Sequence, residues 1–303
     1  MAISIYPVTA EFAAEIGDLD LSQPLESSEL EAIRAAFARY AVLIFPAQEL
    51  TVDQHLAFAA NFGELERSIE LQLGQRRPRT HEAIADVANL TTDGDIWRRD
   101  SRRRQYGMMG NRLWHTDSSF KAPAVYASLL YARSIPPVGG HTEFADMRAA
   151  YDALPAATKR RLETLRAEHS LVFSRQRIGF DGYTAEEKQA LAPVVRPMVR
   201  VIPESGRKSL YIASHIGHIQ GMPDDAAEAL LQELFAHATQ RQFVYTHRWR
   251  VGDLVMWDNR CTMHRGTDFD DLRWARDMQR ATTSDTEGIF GERGAAAFAV
   301  TEY

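Results

Sequence analysis

The chain contains a single cysteine and lacks any long apolar segment. Cys261 has no second cysteine to pair with, so an internal disulfide is excluded. No apolar run approaches the roughly 20 residues that span a bilayer. The N-terminus also lacks the basic stretch and apolar core of a secretory signal. We therefore expect a cytoplasmic protein with no membrane partner.

The chain has no excess of positive charge. Its formal net charge is -6 over 303 residues, so no global attraction to nucleic acid is expected. Hydrophobic residues make up 45% and charged residues 25%, as in an ordinary globular domain. No repeat or low-complexity linker divides the sequence, and we expect one domain over residues 1–303.

Two N-terminal stretches are typical of amphipathic helices. Ser27–Tyr40 carries a capping-box pattern at Ser28 and Glu31, and a second box at Thr51 and Gln54 begins the next helix. Downstream, short strand patterns are separated by turn residues: QFVYTHRW, DLVMWDN, CTMHRG and RDMQRATTSD. The pattern predicts a core of short strands with flanking helices.

Residues 64–110 show weaker periodicity and carry two arginine-rich runs, QRRPRT and WRRDSRRRQ. Long irregular stretches in compact domains are often lids or binding loops, although a solvated surface loop would look the same. A nucleic-acid patch is disfavoured because the net charge is negative and no binding motif surrounds the arginines. We expect a lid or insert over this segment.

A metal-binding pattern begins in the segment LWHTDSSF. On a strand, residues i and i+2 face the same side, so His115 and Asp117 would project together and hold one ion. His264, in WDNRCTMHRG, is the candidate third ligand. Two histidines and one carboxylate match the facial triad of non-haem iron(II) oxygenases, which leaves positions open for a chelating cosubstrate and dioxygen. Zinc and hydrolysis are the alternative metal and chemistry.

Two arginines, Arg276 and Arg280, follow the candidate ligand His264. On a strand, their separation of four places both on one face, where two guanidinium groups can bind two anions in one cavity. Thr142 could add a hydroxyl to one of those carboxylates. Each residue alone is more simply a surface ion pair or an ordinary strand residue, but together with the metal pattern they indicate an anion-binding site.

In sequence order, the motifs resemble the taurine dioxygenase family of Fe(II)/2-oxoglutarate dioxygenases, and within it the dichlorophenoxyacetate dioxygenase branch. The resemblance extends from about Pro7 to Ser284 through WHTDSSF, PPVGGHTEFADMRAAYDAL, SGRKSLYI, HIQGM, FVYTHRWRVGDLVMWDNRCTMHRG and QRATT. It implies a mainly β fold with flanking helices, built on a cupin-like double-stranded β-helix, or jelly roll. It also implies a homo-oligomer.

The resemblance implies a role for ten residues: iron ligands His115, Asp117 and His264; 2-oxoglutarate contacts Thr142, Arg276, Trp257 and Asn111; and substrate contacts Arg280, His215 and His218. For the last two histidines, a structural role in hydrogen bonds to backbone is an equally good interpretation. No catalytic side chain beyond the metal ligands is implied. Fe(II), 2-oxoglutarate and dioxygen would be required, with ascorbate as a stimulant in vitro.

The implied substrate is a small anionic molecule, an aryloxyalkanoate such as a phenoxyacetate. Hydroxylation next to its ether oxygen would release a phenol and an oxo acid, with succinate and carbon dioxide. Taurine, another sulfonate, a sulfate ester or a natural aromatic acid are alternative substrates, and a non-catalytic metal-binding jelly roll is an alternative class. One departure leaves the substrate open: relatives often carry a histidine where this chain has Ile202.

Overall fold

The computed structural model describes residues 3–67, 79–101 and 105–285, so the predicted lid over 64–110 lies partly outside the described residues. The described residues form these strands: β1 Ser4–Pro7, β2 Ala13–Gly17, β3 Val42–Phe45, β4 Ala85–Asp86, β5 Val125–Ser134, β6 Thr142–Asp146, β7 Arg166–His169, β8 Val194–Pro197, β9 Val199–Val201, β10 Lys208–Leu210, β11 Ile216–Ile219, β12 Val244–His247, β13 Leu254–Asp258, β14 Thr262–Gly266 and β15 Asp277–Ser284.

Helices flank these strands. They are α1 Ser27–Tyr40, α2 Val52–Ala60, α3 Met147–Asp152, α4 Ala156–Glu163, α5 Leu171–Gln176, α6 Ala185–Ala190 and α7 Asp224–Ala238, with a π-helical turn Gln105–Met109 and a 3-10 turn Arg241–Phe243. Within the described ranges, no helix has both the length and the apolar character needed to cross a bilayer.

Two sheets build the core. The larger has seven strands in the order β1-β2-β3-β13-β5-β15-β4, and only its β2–β3 pair is parallel among the described strands. A three-stranded antiparallel sheet, β12-β6-β14, packs against it, and two small sheets, β11-β7-β8 and β10-β9, complete the fold. Several sheet neighbours, such as β3 and β13 or β5 and β15, are therefore distant in sequence, as in a jelly roll.

Aromatic and aliphatic side chains fill the space between the two main sheets. Phe144 of β6 and Trp257 of β13 lie with ring centroids 5.4 Å apart, and both are almost fully buried. β3 is buried along its whole length because α1 covers its other face through Phe37. A strand buried on both faces carries a continuous apolar run, here VLIF. The strands that carry the site are thus fixed by a dry core.

The capping of α1 differs from the prediction. Glu26 is the N-cap residue, and its side chain and that of Glu29 cap each other's backbone N–H groups, so the predicted box at Ser28 and Glu31 is wrong. Glutamate can accept the same N–H groups that serine would, which explains the shift. The box that begins α2 is confirmed, since Thr51 Oγ1 accepts the N–H of Gln54 at 3.2 Å.

The strand predicted for LWHTDSSF is also wrong. His115 makes a single bridge to His264, with N···O distances of 3.0 and 2.7 Å, and the chain then turns through residues 117–120. After His115, the segment bonds to Asn259 instead of continuing as a strand. The Thr116 hydroxyl donates to the Asn259 carbonyl at 2.7 Å, and the Asp117 N–H donates to Asn259 Oδ1 at 3.1 Å. Asp117 therefore projects from a turn.

A buried carboxylate closes the turn between β12 and β13. Asp253 Oδ2 lies 3.0 Å from His247 Nε2 and accepts the backbone N–H of Arg250 at 3.0 Å. Burial raises the pKa of Asp253, but the hydrogen bonds from His247 and Arg250 outweigh it and hold that pKa below its usual 3.8.

We predict that Asp253→Asn lowers the free energy of unfolding by about 3 kcal/mol at neutral pH, because it removes one partner of a buried charged network. A carboxyl with a depressed pKa stabilises the fold above its unfolded pKa and loses that contribution as pH falls through the folded pKa. The difference between variant and wild type should therefore stay constant from about pH 7 to pH 5 and shrink below about pH 4. Urea unfolding at several pH values measures it.

The matched control is Asp224→Asn, which removes a carboxylate that is 82% exposed and pairs only with His218 among the described residues. It should change stability little at any of these pH values. An Asp253→Asn defect that is the same size at acid and neutral pH would show that the charge of Asp253 is not what stabilises the turn.

Candidate metal centre and substrate cavities

The three predicted metal ligands meet at the outer edge of the smaller sheet. The bridge between His115 and His264 joins the segment before Asp117 to β14, the edge strand. One ligand atom from each residue lies within 4.8 Å of the other two. His115 Nε2 is 3.9 Å from Asp117 Oδ1, and His264 Nε2 is 3.8 Å from Asp117 Oδ2. All three side chains are buried.

The protonation states of these residues suit metal binding. Burial lowers the pKa of both His115 and His264, so their imidazoles are neutral. His115 Nδ1 lies 2.7 Å from the Leu113 carbonyl, which places the proton on Nδ1 and leaves the Nε2 lone pair facing Asp117. Burial raises the pKa of Asp117, but Arg280 and the two histidines outweigh it and lower that pKa to about 2. A carboxylate and two neutral imidazoles fit a divalent cation. None of these groups would have to release a proton when the cation binds.

Asp117 is held by a buried network that the sequence did not indicate. The Ser128 hydroxyl of β5 donates to Asp117 Oδ2 at 2.7 Å, and Asn259 Nδ2 donates to Ser128 Oγ at 2.9 Å. Asn259 Oδ1 accepts both the Asp117 N–H and the indole N–H of Trp257, each at 3.1 Å. Asn259 follows β13 directly. An asparagine at the end of a strand, two residues after the predicted cavity residue Trp257, is the sequence feature that could have identified it.

A small cavity of about 60 Å³ opens beside the metal ligands. It is lined by the four residues expected to contact 2-oxoglutarate, namely Thr142, Trp257, Asn111 and Arg276. The Thr142 hydroxyl accepts the indole N–H of Trp249 at 3.0 Å, so its own proton is free to point elsewhere. Trp249 is a second residue that the sequence did not single out.

Arg276 is a buried cation without an acidic partner among the described residues. Its backbone N–H donates to Asn89 Oδ1 at 2.8 Å, and its Nε donates to the Gly140 carbonyl at 3.2 Å. Burial lowers the pKa of Arg276 to about 10, so the group stays charged at neutral pH. An unpaired buried charge is costly, and an anion entering this cavity would remove that cost.

Arg280 connects this cavity to a larger one. As predicted, both arginines face one cavity, although Arg276 precedes β15 and the register is irregular between Asp277 and Met278. Arg280 Nη1 pairs with Asp117 Oδ1, while its Nε is buried without a hydrogen-bond partner. The charge of Arg280 is therefore already balanced by a metal ligand.

The larger cavity has a volume of about 170 Å³. Its wall is partly aromatic, and its lining residues include Trp97, Tyr106, Phe120, Leu171, Arg175 and His215. His215 Nδ1 lies 3.0 Å from Ser119 Oγ, which lies 2.9 Å from His169 Nδ1. Burial holds the pKa of His215 well below its usual 6.5, so this histidine is neutral.

His218 is not brought to the site. Its side chain is 43% exposed, its Nδ1 lies 2.8 Å from Asp224 Oδ1, and it does not line either cavity. The other nine residues expected at the site all border one or both cavities: His115, Asp117, His264, Thr142, Arg276, Trp257, Asn111, Arg280 and His215.

Residues 4–282 match the model of the family described as taurine catabolism dioxygenase TauD, TfdA family. The chain belongs to this family. Among curated TauD/TfdA relatives, it is 46% identical to the alpha-ketoglutarate-dependent 2,4-dichlorophenoxyacetate dioxygenase of Cupriavidus pinatubonensis, over 94% of this chain and 99% of the relative. It is 37% identical to the (S)-phenoxypropionate/alpha-ketoglutarate-dioxygenase of Sphingobium herbicidovorans, over 89% and 91%.

Solved structures agree with this membership. The crystal structure of AAD-2 in complex with Mn(II) and N-oxalylglycine superposes with a TM-score of 0.87 at 46% identity, covering 95% of this chain and 98% of that one. The TauD/TfdA resemblance and the expected jelly-roll fold with flanking helices are therefore confirmed.

We predict that Ser128→Ala weakens Mn(II) binding by about 10-fold, because residues that orient a metal ligand commonly affect affinity to this degree. Loss of the Ser128 hydroxyl frees Asp117 Oδ2 to rotate away from the position between the two histidines. Isothermal titration calorimetry with Mn(II) measures the change.

Ser209→Ala is the matched control, since Ser209 is a fully buried serine on β10 whose hydroxyl donates to a carbonyl outside the site. It should bind Mn(II) as the wild type does. If both variants bind Mn(II) equally well, the network does not position Asp117.

Proposed function

We propose that this protein is an Fe(II)/2-oxoglutarate-dependent dioxygenase that hydroxylates the carbon next to the ether oxygen of an aryloxyalkanoate such as phenoxyacetate. The observation that carries the proposal is the buried His115, Asp117 and His264 cluster with the unpaired Arg276 beside it. The 2,4-dichlorophenoxyacetate and (S)-phenoxypropionate dioxygenases among its relatives support this substrate class.

In this proposal His115, Asp117 and His264 hold the iron. Iron(II), when bound with 2-oxoglutarate, supplies the activation of dioxygen and the oxidising power for a C–H bond. The protein holds the three ligand atoms within 4.8 Å of one another, where they would bind the ion. Ser128 and Asn259 keep Asp117 oriented, and the Leu113 carbonyl keeps the lone pair of His115 directed at the site.

Arg276 and Thr142 are proposed to bind the distal carboxylate of 2-oxoglutarate. The guanidinium is buried, and it can bind both oxygens of a carboxylate through charge-assisted hydrogen bonds. Trp249 orients the Thr142 hydroxyl, and Trp257 and Asn111 line the remaining walls. The AAD-2 complex supports such a site, because N-oxalylglycine is the amide counterpart of 2-oxoglutarate.

Arg280 is proposed to hold the substrate carboxylate next to the metal ligands, and the neutral His215 lies along the same cavity. The ring would then contact the aromatic wall near Tyr106 and Phe120.

Hydroxylation converts the substrate to a hemiacetal. The proton of the new hydroxyl passes to the departing phenolate oxygen as the C–O bond breaks, giving a phenol and an oxo acid, so no protein base is required.

A homo-oligomeric state stays a prediction from the family resemblance.

Oxygen uptake by the purified protein tests the function. With Fe(II), ascorbate, 2-oxoglutarate and phenoxyacetate, we expect uptake that yields one phenol and one succinate per dioxygen consumed. Both phenoxypropionate enantiomers and taurine would be assayed in parallel. Uptake stimulated by taurine, with no phenol from any aryloxy acid, would overturn the substrate class and keep the chemistry.

We predict that Arg276→Ala raises the KM for 2-oxoglutarate by about 100-fold, as expected when a buried charge pair loses one partner. The KM for phenoxyacetate should change little. The fold should tolerate the change, because the variant removes an unpaired buried charge. Steady-state kinetics with each substrate varied in turn provide the measurement.

Arg265→Ala is the control, since Arg265 on β14 is 41% exposed, pairs with Glu143 and lines neither cavity. Its kinetic constants should match those of the wild type. If Arg276→Ala affects both KM values equally, Arg276 has no selective role in binding 2-oxoglutarate.

A further inference from the structure

A further guanidinium borders the larger cavity, at the end of α5. The guanidinium carbon of Arg175 lies 5.0 Å from the centroid of the Tyr106 ring. On its other side it packs against Gly110, where a Cβ would stand 2.4 Å from the same carbon. An alanine at position 110 would displace the guanidinium, so Gly110 leaves the room that the end of the Arg175 side chain occupies.

The other cations of this cavity have acidic partners. Arg280 pairs with Asp117, Lys121 Nζ lies 3.3 Å from Glu66 Oε2, and Arg67 Nη2 lies 3.2 Å from Glu82 Oε1. Arg175 pairs with no carboxylate within the described part of the chain, and its buried Nε lacks a hydrogen-bond partner. Its Nη1 lies 3.5 Å from Ser174 Oγ, at the limit of a hydrogen bond. Arg175 is therefore the cation whose charge the cavity leaves unbalanced.

The geometry of an aryloxyalkanoate determines which part of it would meet this charge. The reacting carbon lies between the carboxylate and the ether oxygen, so a carboxylate on Arg280 keeps that carbon beside the metal ligands. The ring extends from the other side of the reacting carbon, toward the aromatic wall that holds Tyr106 and Arg175. A ring without polar substituents would strip water from the guanidinium and offer no replacement, which costs binding free energy.

We infer that Arg175 is a second anion-binding residue of the substrate cavity, and that the preferred substrates are aryloxyalkanoates with an acidic group on the ring, the class of the carboxyphenoxyacetates. A ring carboxylate would accept charge-assisted hydrogen bonds from the guanidinium and balance its charge. This inference rests on the proposed function and adds the ring substituent that the cavity selects.

The test compares phenoxyacetate with (3-carboxyphenoxy)acetate and (4-carboxyphenoxy)acetate. We expect kcat/KM to be about 10-fold or more higher for at least one ring acid, a modest value for a partly solvated charge pair. Arg175→Gln should remove this preference by lowering kcat/KM for the ring acids without lowering it for phenoxyacetate, and Arg175→Lys, which keeps the charge, should retain part of it. Calorimetric titration of each acid into the anaerobic protein loaded with Fe(II) and 2-oxoglutarate gives Kd values that should follow the same order.

Two further variants separate the charge from the fold. Gly110→Ala keeps Arg175 but displaces its guanidinium, and should also lose the preference. Arg177→Gln removes a neighbouring arginine that pairs with Glu228 outside the cavity, and should behave as the wild type does.

The outcomes distinguish this inference from the proposed function. Turnover of phenoxyacetate with equal or poorer use of both ring acids would overturn the inference and leave the proposed function standing. An Arg175→Gln variant that loses the same factor with all three acids would also overturn it, since Arg175 would then have a general role. If no aryloxy acid yields phenol, the proposed function falls and the inference falls with it.

Discussion

Keeping the carboxylate of Asp117 ionised inside a buried cavity requires partners from several strands at once. Transfer of an ion from water to a protein interior is costly, and here the cost is met by Arg280 from β15 and Ser128 from β5. Ser128 is in turn held by Asn259, at the junction of β13 and β14. Because these strands are paired in fixed register, a shift in any one of them would move a partner of Asp117. The core that fixes the strands therefore also fixes the site.

Charge is distributed unevenly around that carboxylate. Arg280 is balanced by Asp117, whereas Arg276 and Arg175 have no acidic partner among the described residues. Both unpaired guanidiniums lie on cavity walls, Arg276 in the smaller cavity and Arg175 in the larger one. A buried charge without a partner destabilises the protein locally. Such charges are common at sites where a bound ligand supplies the opposite charge. Dicarboxylate binding beside Arg276 would then stabilise the fold as well as the complex.

The sequence predicted the ligand set and, through the family resemblance, the fold, because both depend on residue types in a fixed order. The local conformation of LWHTDSSF could not be read from its pattern, since the Thr116 hydroxyl and the Asp117 N–H both bond to Asn259, far along the chain. His215 and His218 look alike in SHIGHIQGM, but the first faces the larger cavity and the second faces solvent at the edge of α7. Arg175 carries no sequence signal, because an unpaired charge is recognised only once its surroundings are known.

The isoleucine at position 202 contributes to the core and not to the substrate cavity. The family resemblance suggested a histidine at this position, where this chain has isoleucine. In this protein Ile202 is 1% exposed and packs with Trp249 and Cys261 in the core between the sheets, and it lines neither cavity. An apolar residue at this position improves core packing and offers nothing to a ligand. Recognition of the substrate must therefore depend on residues that do reach the larger cavity, and among its described cations Arg175 is the one without an acidic partner.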